Sequence, residues 1–179
     1  MSNPRNDGID HINVYSKGKT ELDRMLTNFA YIPFEYKGIK YASVEAWWYC
    51  YLLGDNALES EKEELVKLYG FRAKQRGREM LAYYAHSGNK IDKEVLKPVL
   101  EAKLKAYPSI AKMLQDSTLP FKHYYVFNGV EQKEFFLTPS STGKKAKVIL
   151  YSKKAAHLFV EYAVMNIPNH HLNNYMNMH

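Results

Sequence analysis

The sequence predicts a single α+β domain in which a helical middle packs with short strands from both ends of the chain. Apolar and polar residues alternate, as in strands, near residues 12–15 and 32–41, and strand-like runs return after residue 124. Residues 44 to 116 instead carry helical periodicity with capping and stop residues. Because the strands cluster at the ends rather than alternating with helices, an α+β fold is favoured over a βαβ fold.

The length and composition are those of one globular domain. The chain has 179 residues, 46% of them hydrophobic and 25% charged, which is enough chain to bury a core and argues against global disorder. We expect residues 1–8 to be a flexible N-terminus, residues 9–167 to form the domain, and residues 168–179 to form a polar tail.

The net charge indicates the kind of partner to expect, and the cysteine content indicates the cellular compartment. The formal net charge is +6, which favours phosphate-bearing partners, although the basic residues are dispersed along the chain. Dispersed charge is weak evidence for nucleic acid and fair evidence for a small anionic ligand. A single cysteine, Cys50, excludes an intramolecular disulfide, and no apolar stretch suits a signal peptide or a membrane span. We therefore expect a soluble, cytoplasmic protein that is not membrane-bound.

The strands of the first part begin with residues 12–15, and a loop or short helical turn follows over residues 22–28. Residues 32–36 and 39–41 then form a predicted hairpin whose turn is Lys37-Gly38. Helices follow, and their expected bounds are Val44 to Leu53, Leu58 to Tyr69, Phe71 to Tyr84, Asp92 to Ala106 and Ser109 to Asp116.

The last part of the chain returns to strands. Residues 124–127 precede Asn128-Gly129, a strong hairpin-turn signal, and residues 135–137 and 148–151 are two further candidate strands. The hydroxyl-rich segment 138–145 is interpreted as a solvated loop rather than a phosphate cradle, since it lacks Walker spacing. A final helix is expected over residues 155–165.

The first candidate site lies at the start of the helix that Ser43 is predicted to cap. Glu45 falls in the first turn, where the helix dipole favours its negative charge. Trp48 and Tyr49 follow three and four residues later, on the same side of the helix. A carboxylate beside two aromatic rings is suited to hold a sugar, a base or a developing cation. The alternative is a surface glutamate on a helix whose aromatic side chains belong to the core.

The second candidate site is a basic helix face at residues 74–78. Lys74 and Gly77 are three residues apart and share a face, and Arg78 lies four residues from Lys74. Glycine permits close approach to the backbone, and a lysine beside apolar surface can lose solvation and become a base or nucleophile. The alternative is a solvated basic face in which Gly77 serves helix packing.

The remaining reactive residues do not form a recognisable site. His11, His86, His123 and His157 lack the spacing of a helical ligand pair, and His170, His171 and His179 lie in the polar tail. Cys50 has no local nucleophile signature. We therefore assign no metal and no cofactor.

Several of these segments together resemble one family. Residues 12–17, then Leu26-Thr27-Asn28-Phe29, then Ser43-Val44-Glu45 followed by aromatic residues, resemble the NADAR family, also called YbiA-like. That family's later Ala-Lys-x-x-Gly-Arg pattern is matched by Ala73 to Arg78. The resemblance covers roughly residues 9–165 in order and is densest before residue 80. Many members carry a late Asp-x-x-Trp-Gly element, whereas this chain has no tryptophan after Trp48.

The resemblance implies an α+β domain with a pocket for ADP-ribose-like ligands and N-glycosidic hydrolysis as its activity. The implied substrate is ADP-ribose attached to guanine of DNA or RNA. An alternative substrate is a phosphoribosyl intermediate of riboflavin synthesis. An alternative function is that of a module that binds ADP-ribose, NAD or modified nucleic acid without catalysis. The residues at motif positions are Asn28, Phe29, Ser43, Glu45, Trp48, Lys74, Gly77 and Arg78, and we add Tyr49 from the helix face.

The same resemblance suggests roles for these residues. Glu45 is the expected carboxylate beside the anomeric carbon, and Lys74 is the expected proton donor or imine-forming nucleophile. Phe29 and Trp48 would stack on the base, Asn28 would bind ribose hydroxyls, and Arg78 would face the diphosphate.

Overall fold

The computed structural model describes residues 3–91, 93–122, 124–127 and 131–134. Within these ranges the chain combines helices with short strands, so the predicted α+β class is confirmed. The chain divides into two compact units, residues 1–27 with 112–179, and residues 28–111. The predicted domain boundaries at residues 8 and 167 stay predictions.

The helices and strands alternate little, and most helices lie in the middle of the chain, as expected. The helices are α1 (Glu21–Leu26), α2 (Val44–Leu53), α3 (Glu59–Leu65), α4 (Gly70–Tyr84), α5 (Lys93–Ala106) and α6 (Pro108–Asp116). The strands are β1 (Ile12–Asn13), β2 (Phe34–Tyr36), β3 (Ile39–Tyr41), β4 (Phe121–Lys122), β5 (Tyr124–Phe127) and β6 (Glu131–Glu134). No helix in the described part of the chain is long and apolar enough to cross a membrane.

In the first unit, two distant segments of the chain pair with each other. Strand β1 lies parallel to β4, with Ile12 opposite Phe121, and it is shorter than the four residues predicted. Helix α1 resolves the predicted loop or helical turn in favour of a helix, because Thr20 and Asp23 form a capping box. Strands β5 and β6 pair antiparallel, while Asn128-Gly129 between them lies outside the described residues.

In the second unit, the predicted hairpin is confirmed. Strands β2 and β3 pair antiparallel with Phe34 opposite Tyr41 and Tyr36 opposite Ile39. Lys37 and Gly38 both have positive φ, 51° and 77°, which is the conformation that a two-residue type I′ turn requires. The turn matches the right-handed twist of the strands, so the chain reverses there without splaying them.

Helix α2 has the bounds that the sequence predicts. The Ser43 hydroxyl accepts a hydrogen bond from Ala46 N at 3.1 Å, and Gly54 ends the helix with a φ of 55°. The helix is apolar on nearly all sides, so it is buried rather than amphipathic. It packs most extensively on α4, and this pairing positions the candidate site.

Helix α3 is shorter than the predicted span of residues 58–69. The chain leaves the helix after Leu65, and the carbonyls of Val66 and Leu68 accept hydrogen bonds from residues just before α2. There Val66 O accepts from Ala42 N at 2.7 Å, and Leu68 O accepts from the Ser43 hydroxyl at 3.0 Å. These long-range bonds replace the last helical turn.

Several predicted features lie outside the described residues. They are the Asp92 cap, the strands at 135–137 and 148–151, the loop at 138–145, the helix at 155–165, the polar tail at 168–179, and the histidines at positions 123, 157, 170, 171 and 179.

Candidate functional site

The Asn28-Phe29 segment joins the starts of two helices. Asn28 O accepts a hydrogen bond from Glu45 N, in the first turn of α2, and Phe29 O accepts from Gly70 N, where α4 begins. Both distances are 3.0 Å. The two backbone groups that would otherwise be orphaned at helix N-termini are thereby satisfied by one short segment. This segment fixes the position of α2 relative to α4 at their N-terminal ends.

Ser43 also connects the start of α2 to the segment that precedes α4. Its hydroxyl donates to Leu68 O and accepts from Ala46 N, and the residue is fully buried. A serine hydroxyl has one proton to donate, and here it is donated to Leu68 O, so none remains for a ligand. The predicted cap is confirmed, and this side chain serves to hold α2 against the loop before α4.

Glu45 and Lys74 are the buried charged groups of the α2–α4 pair. Only 3% of Glu45 and 1% of Lys74 is exposed to solvent. The pKa of Lys74 is lowered to about 8, mainly by burial and also by the positive charge of Arg78, while the carboxylate of Glu45 opposes both effects. The Lys74 ammonium also lies 5.9 Å from the centre of the Phe29 ring, within the range of a cation–π contact. The structure therefore brings Glu45, Lys74 and Phe29 together.

Gly77 lies against the ring of Tyr49. A Cβ atom added at Gly77 would be 2.1 Å from Cγ of Tyr49, a separation that no side chain tolerates. The predicted close approach to the glycine backbone is thus present, but the approaching group is a side chain of the protein. Gly77 acts on the site by allowing α2 and α4 to come close together.

Tyr49 is buried, and its hydroxyl lies near two charged site residues. Burial raises its pKa, the charge of Glu45 raises it further, and Arg78 acts in the opposite direction. Arg78 acts both through its charge and through a side-chain hydrogen bond to the hydroxyl. The ring of Tyr49 is occupied in packing, so its hydroxyl is the part that can face a ligand.

Trp48 and Arg78 each lie one helical turn after a buried charge, Trp48 three residues after Glu45 and Arg78 four residues after Lys74. Trp48 is half-buried, and its Nε1 atom is a buried donor without a hydrogen-bond partner in the described part of the chain. Arg78 is exposed, although its charge reaches both Lys74 and Tyr49. A buried polar atom without a partner costs about 1–3 kcal/mol, so Trp48 Nε1 is a candidate for contact with a ligand or water.

Cys50 and the described histidines lie apart from this chemistry. Burial raises the pKa of the Cys50 thiol to about 12, which keeps it protonated and unreactive. His11 pairs with Asp10, and His86 Nδ1 accepts from Gly88 N. Across residues 3–91, 93–122, 124–127 and 131–134, no group of three or more His, Cys, Asp or Glu side chains is arranged to hold a metal.

A separate cleft of about 700 Å³ lies beside the hairpin of the second unit. Its walls include Tyr36, Tyr41, Trp47 and Tyr51, and neither Glu45 nor Lys74 lines it. No pattern in the sequence indicates this cleft, because the cleft depends on how the hairpin lies against α2.

Sequence reasoning also missed an exposed aromatic pair near Phe29. The rings of Tyr31 and Tyr69 have their centres 4.9 Å apart. Tyrosine enrichment was the available signal, but 15 tyrosines do not reveal which two meet.

No protein-family model, curated protein or solved structure matches this chain. The family resemblance therefore depends on the motif residues themselves, and function has to be argued from the geometry of Glu45, Lys74 and their neighbours.

Proposed function

We propose that this protein is an N-glycosidase that removes ADP-ribose from guanine bases of nucleic acid. The observation that carries the proposal is the buried pair of Glu45 and Lys74, held on two packed helices with Phe29 beside the ammonium. The motif resemblance supplies the substrate class. The net charge of +6 suits a substrate that carries phosphates.

The reaction requires a group that stabilises positive charge on ribose. Cleavage of a ribosyl C–N bond passes through an oxocarbenium-like state, and a carboxylate beside the anomeric carbon lowers the energy of that state. Glu45 is our candidate for this role, or for orienting the attacking water. Its 3% exposure supports the proposal, because electrostatic stabilisation is stronger where water is excluded.

The departing base requires a proton, and Lys74 is our candidate to provide it. In the acid route, the C–N bond breaks, the Lys74 ammonium gives its proton to the guanine nitrogen, and water adds hydroxide to the anomeric carbon. The proton left from water then restores Lys74. A pKa of about 8 leaves most of the lysine protonated at pH 7 while making its proton easier to transfer than that of an ordinary lysine.

The second route is covalent. The neutral Lys74 amine attacks the anomeric carbon, the C–N bond to the base breaks, and the base takes one proton from the amine nitrogen. The bond from the anomeric carbon to the ring oxygen then breaks, this oxygen takes the second amine proton, and water later hydrolyses the resulting imine to free Lys74. The lowered pKa of Lys74 also increases the fraction of neutral amine, which this route needs. Both routes therefore use the same buried lysine.

The neighbouring residues have proposed binding roles. Phe29 and Trp48 would contact the base, and the Trp48 Nε1 donor and the Tyr49 hydroxyl would meet acceptors of the substrate. Asn28 would bind ribose hydroxyls. Arg78, which is exposed at the edge of the buried pair, would face the diphosphate. Ser43 and Gly77, which motif matching places among the binding residues, would act by holding α2 and α4 in position.

The deciding experiment is incubation with a single-stranded oligonucleotide that carries ADP-ribose on one guanine, with mass spectrometry of the products. We expect free ADP-ribose and an unmodified oligonucleotide from the wild type, and neither from Glu45→Gln. Binding without release, at unchanged affinity in Lys74→Ala, would instead favour a non-catalytic ADP-ribose module. Release of ribose 5-phosphate from a phosphoribosylamino-pyrimidine alone would favour the riboflavin-intermediate glycosidase.

A further inference from the structure

Two tyrosine rings form an exposed pair in the second unit. Tyr31 is 60% exposed and Tyr69 is 50% exposed, and the ring planes are tilted by 53°. Large exposed aromatic side chains that touch each other keep apolar area in contact with water, which is unfavourable unless the area has a partner.

The pair lies next to the candidate site. Tyr31 is two residues from Phe29, and Tyr69 immediately precedes Gly70, whose N–H group donates to Phe29 O. Two residues of extended chain span at most about 7 Å, so both tyrosines lie close to the backbone of Phe29. The ring of Phe29 in turn approaches Lys74.

The fold does not require a tyrosine at position 69. Tyr69 occupies the N-cap of α4, where serine, threonine, aspartate or asparagine stabilises a helix, and its side chain makes no capping hydrogen bond. The helix therefore lacks a side-chain cap from its own N-cap residue, while the aromatic ring of that residue is presented to solvent. Such a local departure from the stabilising choice is typical of a functional position.

Exposed basic and aromatic residues flank Tyr69 along the chain. Lys67 and Arg72, two and three residues from Tyr69, are exposed, as is the aromatic ring of Phe71. Aromatic faces beside positive charges are the combination that binds single-stranded nucleic acid, since bases stack on the rings and phosphates meet the cations.

We propose that Tyr31 and Tyr69 form a stacking platform for unpaired bases next to the nucleotide held at the Glu45–Lys74 site. The substrate class is then single-stranded nucleic acid rather than a free nucleotide. The link between the platform and the Glu45–Lys74 site rests on the proposed function. Stacking of bases on the two tyrosine rings does not, and a binding measurement alone tests it.

The first test measures binding of a fluorescein-labelled, unmodified single-stranded oligonucleotide of about ten nucleotides by fluorescence anisotropy at low salt. We expect the Tyr31→Ala/Tyr69→Ala double variant to bind about 10-fold more weakly than the wild type, since stacking contributes substantially for each base. The Tyr31→Phe/Tyr69→Phe variant should bind like the wild type, because it keeps both rings.

A matched control comes from the other end of α4. Tyr83 is 81% exposed and pairs with the ring of Tyr84 at 4.7 Å, but it lies about 20 Å along the helix from Gly70. Tyr83→Ala should leave binding unchanged. An equal loss in Tyr83→Ala, unchanged binding in the double alanine variant, or no binding by the wild type would overturn the platform, and the last result would point to a protein partner.

The second test separates this inference from the proposed activity. With ADP-ribosylated substrates, kcat/KM of the double alanine variant should fall about 10-fold on the oligonucleotide and remain unchanged on the ADP-ribosylated mononucleoside. Equal losses on both substrates would overturn the platform. Platform-dependent binding by a wild type that releases no ADP-ribose would instead refute the proposed function and leave nucleic-acid binding in place.

Discussion

The backbone of Gly77 is in contact with the ring of Tyr49, and this contact sets how closely α2 and α4 approach. A Cβ atom at position 77 would lie 2.1 Å from Cγ and 2.4 Å from Cδ1 of Tyr49. Both residues are buried, and Tyr49 is among the largest fully buried side chains. Glu45 and Lys74 occupy the same two helices, so their separation depends on this contact.

We therefore expect Gly77→Ala to destabilise the protein by about 1–3 kcal/mol, because the ring has no space to move away from the new methyl group. Urea denaturation measures the change. Turnover should fall with it, since a shift of about 1 Å between catalytic groups can cost about 100-fold in rate.

A double-mutant cycle with Tyr49→Ala separates the clash with the Tyr49 ring from any other effect of Gly77→Ala on the helix. In that background the clash is absent, and Gly77→Ala should be neutral or stabilising by up to about 1 kcal/mol, because alanine favours the helix. The same destabilisation in both backgrounds would show that the Tyr49 contact is not the cause.

Glu45→Gln should abolish turnover while the fold is retained. The amide has the shape of the carboxylate but no negative charge, so the charge on ribose would lose its stabilisation, and we expect kcat to fall by at least about 100-fold. Product release by mass spectrometry measures the rate, and circular dichroism checks the fold. Glu64→Gln, an exposed position in α3, is the matched control and should keep full activity. A Glu45→Gln protein with more than one-tenth of wild-type activity would contradict the role.

The pH profile of wild-type kcat/KM should bend near pH 8, the pKa that burial gives Lys74. If the ammonium acts as an acid, activity is constant below pH 8 and falls about tenfold per unit above it. If the neutral amine is the nucleophile, activity rises to pH 8 and then levels off, and borohydride should trap the imine on Lys74 as a mass increase. Lys74→Ala should be inactive in either case. A profile without a bend between pH 7 and 9 would exclude both roles.

Lys103 should make stability depend on pH. It is buried in α5, and desolvation lowers its pKa from 10.5 to about 7. The unfolded chain therefore binds more protons between pH 7 and 10.5, so the free energy of unfolding should rise with pH across that window. Lys103→Met removes the free-energy cost of burying or deprotonating the ammonium group on folding. The variant should be more stable by roughly 2–4 kcal/mol at pH 6, and the gain should shrink toward pH 10.

Chemical denaturation at several pH values measures this difference. Lys105→Met, on the same helix but exposed, should change stability little at any pH. A gain in Lys103→Met that does not vary with pH would attribute the effect to packing rather than to the buried charge.

Features that depend on neighbours along the chain are predictable from the sequence. The bounds of α2 follow from the Ser43 cap and the Gly54 stop, which act within one helical turn. The turn at Lys37-Gly38 follows from the backbone conformation that a two-residue hairpin requires. Helical spacing likewise put Lys74, Gly77 and Arg78 on neighbouring positions of α4.

Features that join distant segments depend on the tertiary structure. It paired β1 with β4, ended α3 early so that the carbonyls of residues 66 and 68 bond to the residues before α2, and placed the ring of Tyr49 against Gly77. It also brought Tyr31 to Tyr69. Patterns of three or four residues record local hydrogen bonds and faces, whereas these contacts depend on the path of the chain between segments. That path is set by burial of the whole core, so no single stretch of sequence contains it.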